Sequence, residues 1–299
     1  MQTSNHPVYK LFIIFTASLV GLGGCPSTDS QRTDEAPATS KMESTSNVTS
    51  ENEDAIVCAF FGLDNGLPRR VNAVVRGAYK KDGMPLNFKD EIDAGTLDAE
   101  DFLVINREGE KHVPIGAILM PADEEGENRT VLLIGEFGTG GSNPPVEVKI
   151  VGDLLTKAKH EDASAPSIAR NLKNASTKNV IPLSEGPRMF FAQIVKGDLA
   201  EQSADNSQVV QVAWQGGITP VDKKVTEKDL SQFYTVYVED DDKVTPLTPK
   251  SIADINDNDN YHQLLVETHL PIVKVSMPAG IVKDPNGDSN PKTQVMLEH

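Results

Sequence analysis

The feature that most limits the fold is the shortness of the apolar runs. From residue 55 onward the chain consists of short apolar or alternating runs separated by Gly, Pro, Asn and Asp. No long stretch shows the 3.6-residue period of an amphipathic helix, whereas Val146-Glu147-Val148-Lys149-Ile150 alternates with a period of two, as a strand with one solvated face does. The chain therefore predicts an all-β fold.

The predicted strands fall into two groups. The first group is Ile56–Phe61, Val71–Val75, Met84–Phe88, Phe102–Asn106, His112–Leu119, Val131–Glu136 and Val146–Val151. The second is Met189–Val195, Val209–Trp214, Phe233–Val238, Gln263–Glu267, Ile272–Met277 and Thr293–Leu297. Many short strands joined by turns are typical of a β-sandwich.

Two polar stretches set the domain boundaries. Residues 25–54 are rich in Ser, Thr, Asp, Glu, Asn and Pro and have almost no apolar side chains, so they cannot offset the entropy of ordering the chain. We predict a disordered linker there and a second polar connector over 155–185. The predicted β-sandwich domains are then 55–154 and 186–299.

The two groups of strands resemble each other, which suggests an internal duplication. In the same order along the chain, Met84–Phe88 aligns with Val210–Trp214, Leu97–Ile105 with Glu227–Tyr237, Thr130–Ile134 with His262–Val266, and Pro145–Lys149 with Pro271–Val275. In the second of these pairs an acidic helical turn precedes a strand. The alternative is that any two β-sandwiches share such a rhythm of strands and turns.

The N-terminus has the pattern of an export signal. An apolar run over Leu11–Val20 is too short for a membrane span of about 20 residues and is typical of a signal peptide, predicted over 1–24. The run leads to Leu22-Gly23-Gly24-Cys25, which resembles the lipobox of bacterial lipoproteins. That resemblance implies acyl chains on Cys25 and a chain held on a membrane of the cell envelope, at the outer membrane or the cell surface. The alternatives are an ordinary secreted protein or an uncleaved helix.

A second resemblance concerns the β regions. The segments Met84–Phe88, Glu91-Ile92-Asp93, Thr96-Leu97 and Glu100–Val104, with Gly109 after them, resemble the bacterial Ig-like modules of surface-layer and adhesin-type proteins. Ala279–Asp288 resembles the closing turn of such modules, although Lys89 stands where Ser is usual and both regions carry long insertions. The resemblance implies two Ig-like antiparallel β-sandwiches and a role in display or binding, without naming a ligand.

Composition excludes several classes of function. The net charge of −16 is unsuited to nucleic acid, which requires a basic surface. Gly-x-Ser-x-Gly, His-Glu-x-x-His and phosphate-loop motifs are absent, so we predict no catalysis.

With Cys25 lipidated, Cys58 has no partner in the chain; it lies in an apolar run, which favours a buried thiol over an intermolecular disulfide.

Two acidic loops are candidate calcium sites. Alternating oxygen side chains occur at Asp254, Asn256, Asp257 and Asp259, and again at Asp284, Asn286, Asp288 and Asn290. Calcium requires several such oxygens to converge, and glycine allows the sharp turn that brings them together. Neither loop carries the glutamate that completes an EF-hand, and Asp and Asn are also common turn residues.

Two other groups of side chains have simpler explanations than a ligand site. Trp214, the only Trp, ends an apolar strand, which favours a core position over a carbohydrate platform. Glu267, His269 and the nearby His262 are candidate ligands of a transition metal, but a solvent-exposed strand explains them more simply.

The sequence thus predicts an exported, lipid-anchored protein with a structural, adhesion or binding role and an unidentified protein or glycan partner. The alternative is a lipoprotein that binds a carbohydrate or polymer with the loops at the sandwich ends.

Overall fold

The described residues fold mainly as strands joined by turns and short 3-10 helices. The structure, a computed structural model, describes residues 52, 54–122, 126–158, 168–195, 207–241, 243–253 and 259–298. The all-β class predicted from the sequence is confirmed. Within the described ranges, no helix combines the length and apolar character that crossing a membrane requires.

The first nine strands form two sheets. They are β1 (Ile56–Phe60), β2 (Asp82–Phe88), β3 (Phe102–Asn106), β4 (Lys111–His112), β5 (Gly116–Ile118), β6 (Thr130–Gly135), β7 (Pro145–Ile150), β8 (Ser176–Thr177) and β9 (Val180–Ile181). Sheet 1 has the order β5-β6-β2-β1-β9, and sheet 2 has the order β4-β3-β7-β8. The pairs are antiparallel except for β1 with β9, which is parallel.

The remaining strands form two four-stranded sheets and one two-stranded ladder. They are β10 (Met189–Val195), β11 (Gln208–Trp214), β12 (Thr219–Pro220), β13 (Thr235–Asp240), β14 (Lys243–Leu247), β15 (Ser251–Ala253), β16 (Tyr261–Val266), β17 (Ile272–Met277), β18 (Val282–Lys283) and β19 (Thr293–Met296). Sheet 3 has the order β10-β11-β16-β15, sheet 4 has the order β14-β13-β17-β19, and β12 pairs with β18.

The two pairs of sheets repeat the same strand order. In sheet 1 the order β5-β6-β2-β1 corresponds to β15-β16-β11-β10 in sheet 3, and sheet 2 corresponds to sheet 4 strand for strand. The strands β3 and β13 each follow an acidic 3-10 helix, Ala99–Asp101 and Glu227–Phe233. This repeated order is what a duplication predicts.

The sequence alignment of Thr130–Ile134 with His262–Val266 is out of register by one residue. It matches Leu132 with Leu264, but Leu264 is buried in the core whereas Leu132 lies on the opposite face of its strand. In the ladders Met84 pairs with Leu133 and Val210 with Leu264, so Leu133 is the counterpart of Leu264. A slip of one residue exchanges the two faces of a strand. An alignment of only five residues is too short to determine which face is buried.

Each pair of sheets encloses its own core. Core 1, between sheets 1 and 2, is formed by Ala55, Ile56, Ala59, Met84, Leu86, Phe88, Ile92, Phe102, Val104, Val131, Leu133, Phe137, Val148, Ile150, Leu154, Leu172 and Ala175. Core 2, between sheets 3 and 4, is formed by Met189, Ala192, Val210, Val212, Trp214, Ile218, Leu230, Tyr234, Val236, Val238, Ile252, Leu264, Val266, Ile272, Val275, Met277, Val282 and Leu297.

Two predicted strands differ from the structure: His112–Leu119 is divided between β4 of sheet 2 and β5 of sheet 1, and Val71–Val75 is not a strand. Val71–Val75 lies in and just after a 3-10 helix, Arg69–Ala73. Pro68 precedes the helix with φ −72°, which suits the start of a helical turn. Gly77 follows it with φ 87°, a left-handed conformation that favours glycine. These two residues convert an apolar run into a turn that covers the edge of sheet 1.

The second polar stretch contributes strands to the first pair of sheets. Residues 155–185 were predicted as a connector, but β8 pairs with β7 in sheet 2 and β9 pairs with β1 in sheet 1. Residues 159–167 lie outside the described residues. The described part of this stretch therefore completes the two sheets.

The outer faces of sheets 1 and 3 contact each other through buried polar side chains, and the described residues belong to one compact unit. The guanidinium of Arg129 lies over the ring of Phe191 on β10, with its Cζ 3.9 Å from the ring centroid. The Arg129 backbone N–H donates to Tyr261 Oη at 3.2 Å. We call this region the seam.

Cys58 lies in the same seam and is fully buried, as predicted. Its Sγ accepts hydrogen bonds from the amides of Asn87 at 3.4 Å and Gln215 at 3.3 Å. Burial raises the pKa of the Cys58 thiol, so the unreactive protonated form predominates at neutral pH.

Candidate functional site

A cavity of about 630 Å3 lies beside the seam. One wall is the outer face of sheet 1, and the opposite wall is formed by Gly216 and Gly217, which follow β11, and by Asp259 and Asn260, which precede β16. We call this cavity the pocket. Its volume lies in the range of about 300–1,000 Å3 that is usual for sites of small molecules.

Strand alternation explains why the floor of the pocket is apolar. Met84 and Leu133 point into core 1, so their neighbours Pro85 and Leu132 face the other side of sheet 1, where they line the pocket. Leu67 is 4% exposed and packs there with Leu132 in a small cluster outside both cores. Apolar residues on both faces of β2 and β6 thus leave a second apolar surface after core 1 is filled.

The 3-10 helix Arg69–Ala73 and the strand β5 form the sides. Val71 comes from the helix, Val74 follows it, and Ile118 lies at the end of β5. Val74 and Met120 are 48% and 55% exposed, so they mark the rim, whereas Leu67 and Phe60 are buried and mark the floor. This gradient of exposure shows which end of the pocket opens to solvent.

The backbone at Gly216 lies close to the side chain of Phe60, and this approach narrows the pocket. A Cβ atom at this position would lie 3.0 Å from Cδ1 of Phe60, which is itself buried. Any side chain at Gly216 would therefore push against a ring that is fixed in the first pair of sheets. Glycine allows the two walls to meet.

A few polar groups lie at the buried end of the pocket. Asn260 Nδ2 donates to Thr130 Oγ1 at 3.0 Å and also to the carbonyl of Trp214. Asp259 is 8% exposed, and its Oδ1 accepts a hydrogen bond from the Tyr261 N–H at 2.8 Å. Among the described lining residues, Asp259 and Arg70 are the two with ionisable side chains. The pocket therefore presents an apolar surface to a ligand, with a carboxyl group at one end and a guanidinium at the rim.

The first predicted calcium loop is only partly described. Asp254, Asn256 and Asp257 lie outside the described residues. Asp259 belongs to the wall of the pocket. Its predicted role as a calcium ligand stays a prediction.

The second predicted calcium loop is a tight turn stabilised by its own side chains. Asp284 is 2% exposed, and its Oδ1 accepts hydrogen bonds from the N–H groups of Gly287 at 2.8 Å and Asp288 at 2.9 Å. The side-chain oxygen of Asn290 accepts from the N–H groups of Ile281 and Val282. Asn286 Nδ2 donates to Asp288 Oδ2. Three of the four predicted ligands, Asp284, Asp288 and Asn290, thus have an oxygen engaged within the turn.

The described residues contain no group of three or more His, Cys, Asp or Glu side chains placed to share a metal ion. His262, considered above with Glu267 and His269, is not solvent-exposed but buried, with its Nδ1 2.8 Å from Oη of Tyr234 in core 2. Glu267 and His269 are exposed. The fold therefore separates His262 from the other two.

We expect calcium to raise the melting temperature of the wild-type chain if the predicted loops bind it. Burial raises the pKa of Asp284. The free energy of unfolding therefore falls as the pH rises from the usual pKa of an aspartate to the raised one, because the buried carboxylate becomes charged. A bound cation would offset this loss. A hundredfold excess of ligand over its dissociation constant stabilises by about 2.7 kcal/mol. Thermal melts with calcium and with chelator measure the effect, and Asp288→Ala and Asp257→Ala assign it to a loop. Identical wild-type melts in both buffers would remove calcium from both loops.

Sequence reasoning missed the pocket but predicted the position of Trp214 correctly. Trp214 is fully buried in core 2, and its Nε1 donates to Tyr234 Oη at 2.9 Å. The pocket-lining residues come from segments far apart in sequence, and none of them forms a motif. The sequence feature that could have indicated a site here is the run from Arg69 to Lys81, which has five basic residues and no acidic one in a strongly acidic chain.

Comparison with protein-family models and with curated proteins gave no match.

Proposed function

We propose that the chain is an exported, lipid-anchored envelope protein that binds a small, largely apolar molecule in the pocket and performs no catalysis. The observation that carries the proposal is the pocket itself, an apolar cavity of about 630 Å3 with a few polar groups at its buried end. Burial of apolar surface is the main source of affinity in such sites. A binding role also agrees with the strand order of the two sheet pairs, which supports two Ig-like modules with the ligand held between them.

The anchor is part of the same proposal. Cys25 follows Leu22-Gly23-Gly24 and carries acyl chains, and residues 25–54 connect it to the folded part. One acyl chain binds a membrane only marginally, whereas several bind it durably. Intact-mass analysis of the protein extracted from membranes checks this directly. The anchor predicts a chain that begins at Cys25 with the added mass of lipid, and an unmodified Cys25 contradicts it.

Ligand binding in the pocket is tested by the accessibility of a thiol placed there. In Leu132→Cys the new thiol lines the pocket, while the native Cys58 is fully buried. The full chain is held in nanodiscs of zwitterionic phospholipid, and its rate of alkylation by N-ethylmaleimide is measured with and without dodecanol. We expect dodecanol to slow the reaction of the introduced thiol at least several-fold, because the alkyl chain occupies the same space.

Val244→Cys is the matched control. Val244 is 49% exposed on β14 and does not line the pocket, so dodecanol should leave the alkylation of this variant unchanged. Equal rates for Leu132→Cys with and without dodecanol would contradict the proposed function. Equal slowing of both variants would also contradict it, because it would show a general effect of dodecanol on the reaction.

A further inference from the structure

A basic segment borders the pocket. Residues 69–81 contain Arg69, Arg70, Arg76, Lys80 and Lys81 and no acidic residue, in a chain whose net charge is −16. We call residues 69–81 the basic segment. A local cluster of one sign on a surface of the opposite sign focuses the field and attracts ligands of opposite charge.

Most of the charge of the basic segment is available to a ligand. Arg69, Arg70 and Arg76 are exposed, and in the described part of the chain none of them forms an ion pair. Lys81, by contrast, pairs with Glu136. By comparison, Arg170 and Arg188 pair with Asp90 and Glu185.

The ring of Tyr79 contacts the cationic groups of Arg69 and Lys80 without neutralising their charge. The guanidinium carbon of Arg69 lies 5.0 Å from the centroid of the Tyr79 ring, and Lys80 Nζ lies 5.6 Å from it. Cation–π contacts of this kind orient a charged side chain but leave its positive charge in place. The basic segment therefore presents a cationic surface to solvent.

The basic segment and the pocket share residues. Arg70, Val71 and Val74 belong to the basic segment and also line the pocket. Arg70 is exposed and so lies towards the rim, whereas the carboxylate of Asp259 is at the buried end. Positive charge at the opening and apolar surface beneath it match a molecule that has an anionic head and a hydrocarbon tail.

We propose that the ligand of the pocket is an anionic amphiphile with a single alkyl chain, such as a fatty carboxylate or an alkyl phosphate. This inference rests on the proposed function. Its alkyl chain packs against Leu67, Val71 and Leu132, and its head group accepts charge-assisted hydrogen bonds from Arg70. The exposed Arg70 at the rim sets the orientation, with the anionic head at the opening and the alkyl chain on the apolar surface beneath it.

The test compares ligands of equal chain length and different charge. In the Leu132→Cys chain in nanodiscs, the concentration that halves the alkylation rate is measured for dodecanoate, dodecyl phosphate, dodecanol and dodecyltrimethylammonium. We expect at least one of the two anions to act at a concentration about tenfold lower than the cation, which corresponds to about 1.4 kcal/mol. The two anions distinguish a carboxylate head from a phosphate head, and preference for either supports the inference.

Arg70→Gln identifies the residue responsible. Combined with Leu132→Cys, it should raise the half-protecting concentration of the preferred anion about tenfold and leave that of dodecanol unchanged, because hydrogen bonds to charged groups contribute about 1.5–3 kcal/mol. Lys223→Gln removes the same charge from an exposed position outside the pocket and should change neither concentration.

The outcomes separate this inference from the proposed function. Protection by dodecanol with no preference for anions over the cation would overturn the inference and leave the pocket as a binding site. Stronger protection by the cation would also overturn it and would assign recognition to Asp259. Protection by none of the four compounds would contradict the proposed function itself. An equal loss of anion binding in Arg70→Gln and Lys223→Gln would show that only net charge matters, and would overturn the role of Arg70.

Discussion

Replacing Trp214 with alanine is expected to lower the free energy of unfolding by about 3–5 kcal/mol, the usual cost of removing a large buried aromatic side chain. Trp214 is fully buried in core 2, between sheets 3 and 4. Its indole packs edge-on against Tyr234, with ring centroids 6.5 Å apart, and donates a hydrogen bond to Tyr234 Oη. The substitution leaves a cavity and also removes this buried hydrogen bond.

Urea denaturation followed by circular dichroism measures this loss, since Trp214 is the only Trp and its fluorescence disappears in the variant. Met296→Ala is the control, because Met296 is 61% exposed and its removal should change stability by no more than about 0.5 kcal/mol. A loss below about 1 kcal/mol for Trp214→Ala would mean that core 2 is not packed around this ring.

Replacing Arg129 with alanine is expected to destabilise the seam by about 2–4 kcal/mol, because it removes a cation–π contact and charge-assisted hydrogen bonds from a buried site. Arg129 is 3% exposed, and burial lowers its pKa. Its guanidinium donates to the carbonyl of Lys89 and, at 3.3 Å, to Gln193 Oε1, and so joins the first pair of sheets to the second.

Amide hydrogen exchange locates the effect. In Arg129→Ala, the amides of β6 and β10 should exchange faster, while those of β3 and β13, in sheets 2 and 4, keep most of their protection. Arg107→Ala is the control, because Arg107 is exposed and, within the described ranges, its side chain makes one hydrogen bond, to the carbonyl of Ser142 at 3.3 Å. Unchanged exchange at the seam in Arg129→Ala would contradict its role in joining the sheet pairs.

The sequence predicted most of the strands because their patterns are local. Period-two alternation placed β7 correctly, and turn residues separated it from its neighbours. It failed at Val71–Val75, where Pro68 and Gly77 override the strand preference of three valines. The short strands β14 and β15 were not predicted, because Lys243–Leu247 is mostly exposed and Ser251–Ala253 is only three residues long.

The seam and the pocket depend on contacts between residues far apart in the chain. Arg129 meets Phe191, and Phe60 meets Gly216, through pairings that no local pattern encodes. The burial of Trp214 and Cys58 was predictable, because each lies in an apolar run. The basic segment was visible in the sequence as a run of cations without acids, but its place at the rim depends on how the 3-10 helix Arg69–Ala73 folds over sheet 1.

The most direct test of the account is a crystal structure of the chain grown with the preferred anion, dodecanoate or dodecyl phosphate. The account predicts an alkyl chain between Leu67 and Leu132, with its anionic head within hydrogen-bonding distance of the Arg70 guanidinium. A pocket that holds only water, or an amphiphile bound elsewhere on the chain, would contradict it.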